Sequence, residues 1–452
     1  LYLFGSFVFF KDNEQAKVMN KEKLKILLTL VHSTRNAGDL ALLEVSIRLI
    51  KNFFPDAVFV ISTNYPNEEY YCNKDYQVVP SIIALVGESY GRPKAAQIIH
   101  FMLGGIYCLI YKLGFHFCVP VNWSLLLRAY FDCDIVIAVP GNQFYSTGKF
   151  GWPFPVRIME VFMAHLFNKP LYILPQSIGP LKRWWEKKLL KWCYSKAEII
   201  FLRDQFSIEL AMSLGIPINK VFYGIDPAFA LLPEAEEEAL KLLISHGWTP
   251  NKPSLGVTVI APMGKSLSQD IVRNYYEILA RGIADFALKH DFQIVFFCQV
   301  CGPTYLENDR YPTLSIYQKV CSVTSQVILV DTIVSPQLLK ACYGKMDIFL
   351  ASRLHSGIFS ISMGVPTIFI GYLPKTMGIL KSLEIEDFCI DIIDLTKVNI
   401  EERLHELWKE SNRIRRRLAE VQRVIQNKVQ EPFQKIFFDI TSNKNLKWER
   451  IK

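Results

Sequence analysis

The sequence predicts an α/β protein built from two doubly wound halves, because short apolar strands alternate with helical segments along most of its length. Strand-length apolar runs such as residues 25–31 and 134–139 lack polar alternation, which is typical of strands buried on both faces of a parallel sheet. This strand series is interrupted once, by an acidic helical stretch and a Pro-containing segment over residues 233–253. We therefore predict two Rossmann-like domains that face one cleft.

The first predicted unit is the strand 25–31, followed by a turn with Gly38 and a helix over residues 40–54. Further strands of the first half are predicted over residues 57–62, 134–139, 171–174, 198–202 and 221–223, with helices over 154–167, 184–195 and 205–214. Strands of the second half are predicted over residues 255–260, 292–297, 326–330, 347–350 and 366–370, with helices over 270–290 and 335–343. We place the domains at residues 24–232 and 250–398, and a helical extension at 399–452. The basic cluster at 413–417 in this extension is interpreted as a solvated helix face, with phosphate or lipid headgroup contact as the alternative.

Composition narrows the class of protein. The chain has 452 residues, of which 50% are hydrophobic and 21% charged, so it has the composition of a folded globular protein. The net charge of +8 favours an anionic ligand or a membrane surface, but without dense basic blocks it does not indicate a nucleic-acid binder. Ten scattered cysteines form no disulfide framework, which favours a reducing, cytoplasmic compartment. Cys298 and Cys301 have CxxC spacing but no second ligand pair, so we predict no metal site.

Two apolar segments stand apart from this pattern. Residues 1–10 are too short to span a bilayer and are interpreted either as an anchor or as the remnant of a truncated gene. Residues 95–121 are long enough, but His100, Lys112 and His116 interrupt the run and two adjacent glycines are expected to break it at its middle. We expect a buried or interfacial hairpin of helices rather than a span, with peripheral membrane contact as one of the alternatives.

Residues that can carry chemistry follow the predicted strands. In the first half, Asn36, Gly38 and Asp39 follow the first strand, and Asp39 is placed to cap the next helix. Neither a GxGxxG motif nor a P-loop with GK[ST] is present, which disfavours a nicotinamide dehydrogenase and a P-loop kinase. Ser177 and Arg203 follow later strands; a guanidinium there suits phosphate or carboxylate, with a local ion pair as the alternative.

The second half carries the most informative stretch. A strand ending near residue 350 leads to Ser352, Arg353, Leu354 and His355. Arg353 and His355, two residues apart, are expected to project alike from an extended strand end, with Arg353 binding an anion and His355 transferring a proton. Lys375 follows the next strand as a further cation. Because ligands bind at the carboxyl ends of parallel strands, these groups are expected to face one cleft and to bind a substrate with several negative charges.

Taken together, the motifs of this chain resemble those of the polysaccharide pyruvyl transferase family. The matching pieces occur in the family's order: Asn36-x-Gly38-Asp39, Gln176-Ser177-Ile178-Gly179-Pro180, Arg203-Asp204-x-x-Ser207, Asp226-x-Ala228-Phe229, Ser352-Arg353-Leu354-His355, Gly364-x-Pro366 and Tyr372-x-x-Lys375-x-x-Gly378. The family often has a run of glycines where this chain has Pro140-Gly141-Asn142, so no contact is carried over to that loop.

The resemblance implies a GT-B-like fold, phosphoenolpyruvate as donor and a saccharide as acceptor. The product would carry pyruvate as a cyclic ketal, with phosphate released and no cofactor or metal required. Arg203, Arg353, Leu354 and His355 match donor-site positions, so the second half is expected to bind the donor and the first half the acceptor. His355 is expected to transfer the proton.

Further residues take roles consistent with this resemblance. Asp39 or Asp226 is expected to assist an acceptor hydroxyl. Asn36, Gly38, Ser177, Ser352 and Lys375 complete the expected binding set. The acceptor could be lipid-linked, which would place the protein at the inner face of a membrane.

Two other functions stay open at this stage. One is a GT-B glycosyltransferase whose cations clamp the diphosphate of a nucleotide sugar. The other is a non-catalytic saccharide-binding protein, against which the intact Arg353–His355 pair argues.

Overall fold

The computed structural model describes residues 23–87, 91–148, 151–261 and 267–442, and residues 1–10 lie outside these ranges. Within them, two parallel β-sheets are each flanked by helices, which confirms the predicted α/β class. The break between the two sheets falls between residues 223 and 254, as the interruption of the strand series predicts. The domain boundaries themselves stay a prediction.

The first sheet has eight described strands, and its main path runs in the order β3-β2-β1-β4-β6-β7-β8, with β5 pairing on β6. These strands are β1 (Lys25–Val31), β2 (Val58–Thr63), β3 (Gln77–Pro80), β4 (Ile135–Ala138), β5 (Gly141–Phe144), β6 (Leu171–Ile178), β7 (Ile199–Leu202) and β8 (Val221–Tyr223). The centre of the sheet is buried on both faces, because its strands are continuous runs of apolar residues.

The second sheet has six described strands in the order β11-β10-β9-β12-β13-β14. They are β9 (Ser254–Thr258), β10 (Gln293–Phe297), β11 (Val327–Val330), β12 (Ile348–Ala351), β13 (Thr367–Gly371) and β14 (Cys389–Asp391). In each sheet the order in which strands are added reverses beside the strand that comes first in the chain, which is β1 in the first sheet and β9 in the second. Loops on either side of that strand therefore separate and leave a crevice at the carboxyl ends of the strands.

The helices cover both faces of each sheet. In the first half they are α1 (Ala37–Phe53), α2 (Ile82–Val86), α3 (Lys94–Lys112), α4 (Val121–Asp132), α5 (Pro153–Leu166), α6 (Trp184–Ser195) and α7 (Gln205–Ser213). Those that follow are α8 (Glu236–Ser245), α9 (Gln269–His290), α10 (Arg310–Cys321), α11 (Pro336–Tyr343), α12 (Leu354–Ser362), α13 (Pro374–Ser382), α14 (Ile400–Lys409), α15 (Ser411–Lys428) and α16 (Glu431–Ser442).

The C-terminal helices connect the two halves. Helix α14 packs on α9, α15 on α12, and α16 returns to the first sheet, where Asp439 accepts a hydrogen bond of 2.7 Å from Tyr172. Within the basic cluster, Arg415 donates to the carbonyl oxygens of Asp347 and Gly364, and Arg417 to that of Glu384. At least part of the cluster therefore caps loop carbonyls of the second half instead of forming only a solvated face.

The prediction that glycines break the segment 95–121 is wrong. Helix α3 runs without interruption from Lys94 to Lys112. Gly104 lies against the indole ring of Trp123 on α4, so it allows close helix packing, while Gly105 faces open space. Strands β3, β5 and β14 were not predicted, because Pro, Gly or polar residues leave none of them with a run of three apolar residues.

Candidate active site

A cleft of about 750 Å³ lies between the two halves at the carboxyl ends of both sheets. Its walls come from the loops after β1, β4, β7, β10, β12 and β13, together with β5 and the start of α5. Of the residues proposed from the sequence, those that line the cleft are Asn36, Asp39, Arg203, Arg353, Leu354, His355 and Lys375. The fold thus brings residues from positions 36 to 375 to a single site.

The N-terminus of α1 forms one wall. Asn36 caps this helix: its Oδ1 accepts hydrogen bonds from the backbone N–H groups of Gly38 (3.0 Å) and Asp39 (3.4 Å). Its Nδ2 donates to the Asp39 carboxylate at 2.8 Å. The helix also touches the second half, since the N–H of Ala37 donates to the carbonyl oxygen of Gln299 at 3.2 Å. Asn36 therefore fixes Asp39 at the junction of the two halves.

Gly38 is required by the close approach of His355. A Cβ atom at position 38 would overlap the ring and the Cβ of His355, which lies across the cleft on α12. The absence of a side chain at this position lets a residue of the second half reach into the wall formed by α1.

His355 lies in the first turn of α12, with Arg353 at the N-cap position. The expectation that both residues project from an extended strand end is wrong, because β12 ends at Ala351 and the helix begins at Leu354. The His355 side chain is 12% exposed, and its Nε2 lies 3.7 Å from Oδ2 of Asp226. That nitrogen is buried, faces the Asp226 carboxylate and has no hydrogen-bond partner among the described residues.

A buried ion pair lies behind His355. Arg203 is 1% exposed and donates to Asp226 at 2.6 Å and to Ser177 at 3.0 Å. Burial by itself would raise the pKa of Asp226, but the charge of Arg203 and the contact with His355 outweigh it and hold the pKa well below its ordinary value. The carboxylate therefore stays ionised and orients both Arg203 and His355. Arg203 therefore forms an ion pair, which was the alternative interpretation of this residue, but its partner is Asp226 and not the neighbouring Asp204.

Arg353 is fixed by a partner that sequence analysis missed. Its guanidinium forms a bidentate pair with Asp309, with distances of 2.8 Å from Nε to Oδ2 and 2.5 Å from Nη2 to Oδ1. Asp309 is fully buried. Burial opposes the charge on Arg353, but the Asp309 carboxylate more than compensates and raises the pKa of Arg353 further above its ordinary value. Arg353 is therefore a permanently charged, rigidly oriented group in the cleft wall.

A second histidine, His32, was also missed. Its Nδ1 lies 3.4 Å from Oδ2 of Asp39, and its Nε2 lies 3.8 Å from Glu307 of the second half. Burial lowers the pKa of His32, but the hydrogen bond with Asp39 and the two carboxylate charges raise it above its ordinary value. Burial raises the pKa of Asp39, whereas His32, His355 and Lys375 lower it overall. The pair favours a protonated imidazole beside an ionised carboxylate.

The segment Pro140-Gly141-Asn142, expected to be a loop, enters strand β5 at Gly141 and lines the cleft. Oδ1 of Asn142 and Oγ1 of Thr147 are buried without a hydrogen-bond partner among the described residues. The cations Arg157 and Lys182 line the same side of the cleft. No motif marks these residues, because their place in the site depends on the position of β5 and α5 in the folded chain.

Four of the proposed site residues are absent from the cleft lining: Gly38, which packs against His355, and three buried polar residues. Ser177, Ser352 and Asp226 are each at most 2% exposed. Ser177 receives the Arg203 hydrogen bond and donates to Asp204 at 2.6 Å, so it supports the wall rather than the open cleft. The roles of all these residues remain predictions. No group of three or more His, Cys, Asp or Glu side chains in the described ranges is arranged to hold a metal ion.

The contact between Gly38 and His355 gives a test of the site. Replacing Gly38 with alanine is expected to lower turnover by about 10²-fold, because the added methyl group displaces the His355 ring from its position. The matched control is Gly105→Ala, where the methyl group meets open space and turnover should be unchanged. The measurement is the steady-state rate of both variants after circular dichroism has shown that they are folded. Equal rates for the two would contradict the role of this contact.

Two parallel α/β halves around one cleft define a GT-B-like fold. HepE from Anabaena, crystallised with UDP, superposes with a TM-score of 0.56 at 13% identity, covering 93% of this chain and 100% of that chain. A putative UDP-N-acetylglucosamine 2-epimerase from Listeria monocytogenes gives a TM-score of 0.52 at 12% identity, with coverage of 88% and 90%. At such identities the likeness concerns the fold alone, and it confirms the fold class.

Sequence comparison identifies the family, which the likeness of fold does not. The model of the polysaccharide pyruvyl transferase family matches residues 36–374, and the chain belongs to that family of transferases. The amylovoran biosynthesis protein AmsJ from Erwinia amylovora is 23% identical over 418 residues, which cover 90% of this chain and 98% of AmsJ. The resemblance found in the sequence motifs is confirmed, and the chain is placed among transferases of polysaccharide biosynthesis.

Proposed function

We propose that this protein transfers the pyruvyl group of phosphoenolpyruvate to a saccharide as a cyclic ketal and releases phosphate. The observation that carries the proposal is the juxtaposition, in one cleft, of the fixed cation Arg353, the imidazole of His355 and the ionised Asp39. These groups supply anion binding, proton transfer and hydroxyl activation, which are the three requirements of ketal formation from this donor.

The charge of the cleft supports an anionic donor. Five Lys or Arg side chains line it: Arg157, Lys182, Arg203, Arg353 and Lys375. The carboxylates around them are Asp39 and Glu307 in the lining and Asp226 and Asp309 behind it. In the lining itself, five cations face two carboxylates, Asp39 and Glu307. Phosphoenolpyruvate carries a phosphate and a carboxylate, which Arg353, Lys375 and the N-terminus of α12 would bind.

In the proposed reaction, His355 donates a proton to the methylene carbon, C3, of the donor. This protonation makes C2 electrophilic, and one sugar hydroxyl adds there. The C–O bond to phosphate then breaks, and a second hydroxyl of the same sugar adds to C2 to close the ketal. The two sugar hydroxyls release two protons in total. One replaces the proton that His355 gave to C3, and the other leaves with the phosphate.

Asp39 is proposed to accept a hydrogen bond from the attacking hydroxyl. It lies in the wall from the first half, opposite the donor groups, and its lowered pKa keeps it ionised. Asp226 is assigned a positioning role instead of direct proton transfer, because its carboxylate is buried and engaged by Arg203. The proposed reaction uses no resident metal or cofactor.

Isothermal titration calorimetry tests the donor assignment. We expect phosphoenolpyruvate to bind the full-length protein and UDP-glucose not to bind, since the proposed cleft recognises one phosphate and one carboxylate. Binding of the nucleotide sugar without phosphoenolpyruvate would overturn the proposal in favour of glycosyl transfer. Binding of neither donor, together with binding of a free saccharide, would indicate a non-catalytic saccharide-binding protein.

Arg353→Lys tests the anion-binding group. Lysine keeps the positive charge but cannot form the bidentate pair with Asp309, so the ammonium loses its fixed orientation. We expect the KM for the donor to rise roughly 10- to 100-fold, with a smaller change in kcat. The matched control is Arg415→Lys, whose guanidinium binds carbonyl oxygens outside the cleft. An unchanged donor KM in folded Arg353→Lys would remove Arg353 from the binding site.

A further inference from the structure

Helix α3 and the connection after it present an exposed apolar face. Its main members are Ile99, Met102, Ile106, Leu109, Leu113 and Phe117, which are between 52% and 86% exposed. The first five recur at intervals of three or four residues, so they form one stripe along the helix. An apolar stripe of this kind on the surface of a folded protein marks an interaction site. We call it the α3 face.

The rest of α3 is attached to the first half. Cys108 contacts Met163 of α5 with sulfur atoms 3.6 Å apart, and Trp152 donates to Gln97 at 2.7 Å. Lys112 donates to the carbonyl oxygen of Leu166 at 3.0 Å. By length and composition alone α3 could cross a membrane. These contacts instead hold it flat against the domain, in the arrangement of a helix that lies in a bilayer interface.

The charges around the α3 face are mainly positive, and the nearby acid Asp132 at the end of α4 is paired with Arg128 at 3.1 Å. Residues 91–131 contain Arg92, Lys94, Lys112 and Arg128 but no Asp or Glu. The surroundings are therefore complementary to an anionic surface.

Helix α6 extends this cationic surface. It packs on α5, where its Trp192 contacts Phe162. It carries Lys187, Lys188 and Lys191 together with the 70% exposed Trp184. The acid of this helix, Glu186, is buried and paired with Arg183. Tryptophan beside lysine is the combination found where proteins meet lipid headgroups.

The start of α3 lies close to the cleft. The start of α3 contacts Trp152 through Gln97 and Phe101, and Trp152 directly precedes α5. Pro153 at the start of α5 lines the cleft. A flat surface that contacts the α3 face would therefore lie next to the first-half wall of the cleft.

We propose that the α3 face and α6 dock this protein on an anionic lipid bilayer. The apolar stripe inserts among the acyl chains near the headgroups, and the lysines of α6 contact the lipid phosphates. Docking does not depend on the chemistry of the cleft. Its consequence for catalysis, that the acceptor saccharide is lipid-linked and reaches the cleft from the membrane, rests on the proposed function.

Vesicle co-sedimentation of the full-length protein tests the proposal. We expect binding to vesicles of phosphatidylcholine with phosphatidylglycerol, and weaker binding to phosphatidylcholine alone. The double variant Met102→Glu/Leu109→Glu should lower the partition coefficient at least tenfold. The matched control is Ile244→Glu/Leu288→Glu, at side chains that are 52% and 60% exposed on the second half, and it should bind like the wild type. Changing Lys187, Lys188 and Lys191 to glutamine should cost roughly 100-fold on anionic vesicles.

Three outcomes would overturn the proposal. The first is that the wild type does not bind anionic vesicles, and the second is that the α3 variant and its control bind equally. The third is that the wild type forms a concentration-dependent dimer in sedimentation velocity, the α3 variant does not, and neither binds vesicles. The last outcome would assign the face to a second copy of the chain. Calorimetric titration of the α3 variant with phosphoenolpyruvate shows whether its cleft is intact. A failure of docking is thereby distinguished from a failure of the proposed function.

Discussion

Replacing His355 with glutamine is expected to lower turnover by about 10²–10⁴-fold, the range for loss of general acid–base catalysis. Glutamine keeps a polar side chain at the start of α12 but cannot deliver a proton at neutral pH. The measurement is phosphate release from phosphoenolpyruvate in the presence of a competent acceptor. The buried Asp226 carboxylate, 3.7 Å from Nε2 of His355, keeps its ion pair with Arg203 in this variant, so the fold should be retained.

The control for this substitution is His246→Gln. His246 lies at the end of α8, outside the cleft, where it contacts Leu242 and Thr332. Its replacement should leave turnover within about twofold of the wild type. Near-wild-type phosphate release by His355→Gln would remove His355 from the chemistry and leave the proton transfer without its assigned donor.

The second large effect is expected on stability. Replacing Arg203 with methionine should lower the free energy of unfolding by about 3–5 kcal/mol, because the buried Asp226 carboxylate loses its cation. The double variant Arg203→Met/Asp226→Asn removes both charges and should recover part of this loss. The measurement is urea denaturation of the wild type, Arg203→Met, Asp226→Asn and the double variant as a double-mutant cycle. A single variant no less stable than the double variant would contradict the view that the uncompensated charge causes the loss.

The same pair gives a pH dependence of defined sign. The pKa of Asp226 is lower in the folded protein than its ordinary value of 3.8, so the ionised carboxylate contributes stability above about pH 4. That contribution is lost as the pH falls toward the folded-state pKa. The stability difference between the wild type and the double variant should therefore shrink in acid.

Much of the fold follows from local sequence. Helix α6 begins and ends at Trp184 and Ser195 as predicted, and the break between the sheets lies at the acidic segment before residue 254. Apolar periodicity and turn residues are local properties, and they determine these elements. The course of α3 through two adjacent glycines was not predictable, because it depends on Trp123 packing against Gly104 from another helix.

In the candidate site, too, some residues were predictable from local sequence and others were not. Arg353, His355 and Lys375 could be found because they directly follow strands whose ends meet at one edge of a sheet. Asp309 could not, because its bidentate pair with Arg353 spans 44 residues of sequence. His32 follows β1 but carries no motif of its own, and its importance arises only from the approach of Asp39 and Glu307. The Asp309–Arg353 and His32–Asp39 pairs each form within one half on folding, whereas Glu307 approaches His32 only because the two halves dock.

The most direct test of the proposed reaction is incubation of the full-length protein with phosphoenolpyruvate and a panel of free, nucleotide-linked and lipid-linked saccharides. Mass spectrometry would follow each acceptor, and a phosphate assay would follow the donor. The account predicts that at least one acceptor gains a single pyruvyl ketal, that phosphate appears in equal amount, and that His355→Gln loses both signals together. Transfer of a glycosyl group to an acceptor from an added UDP-sugar, with no pyruvyl gain on any acceptor, would contradict it.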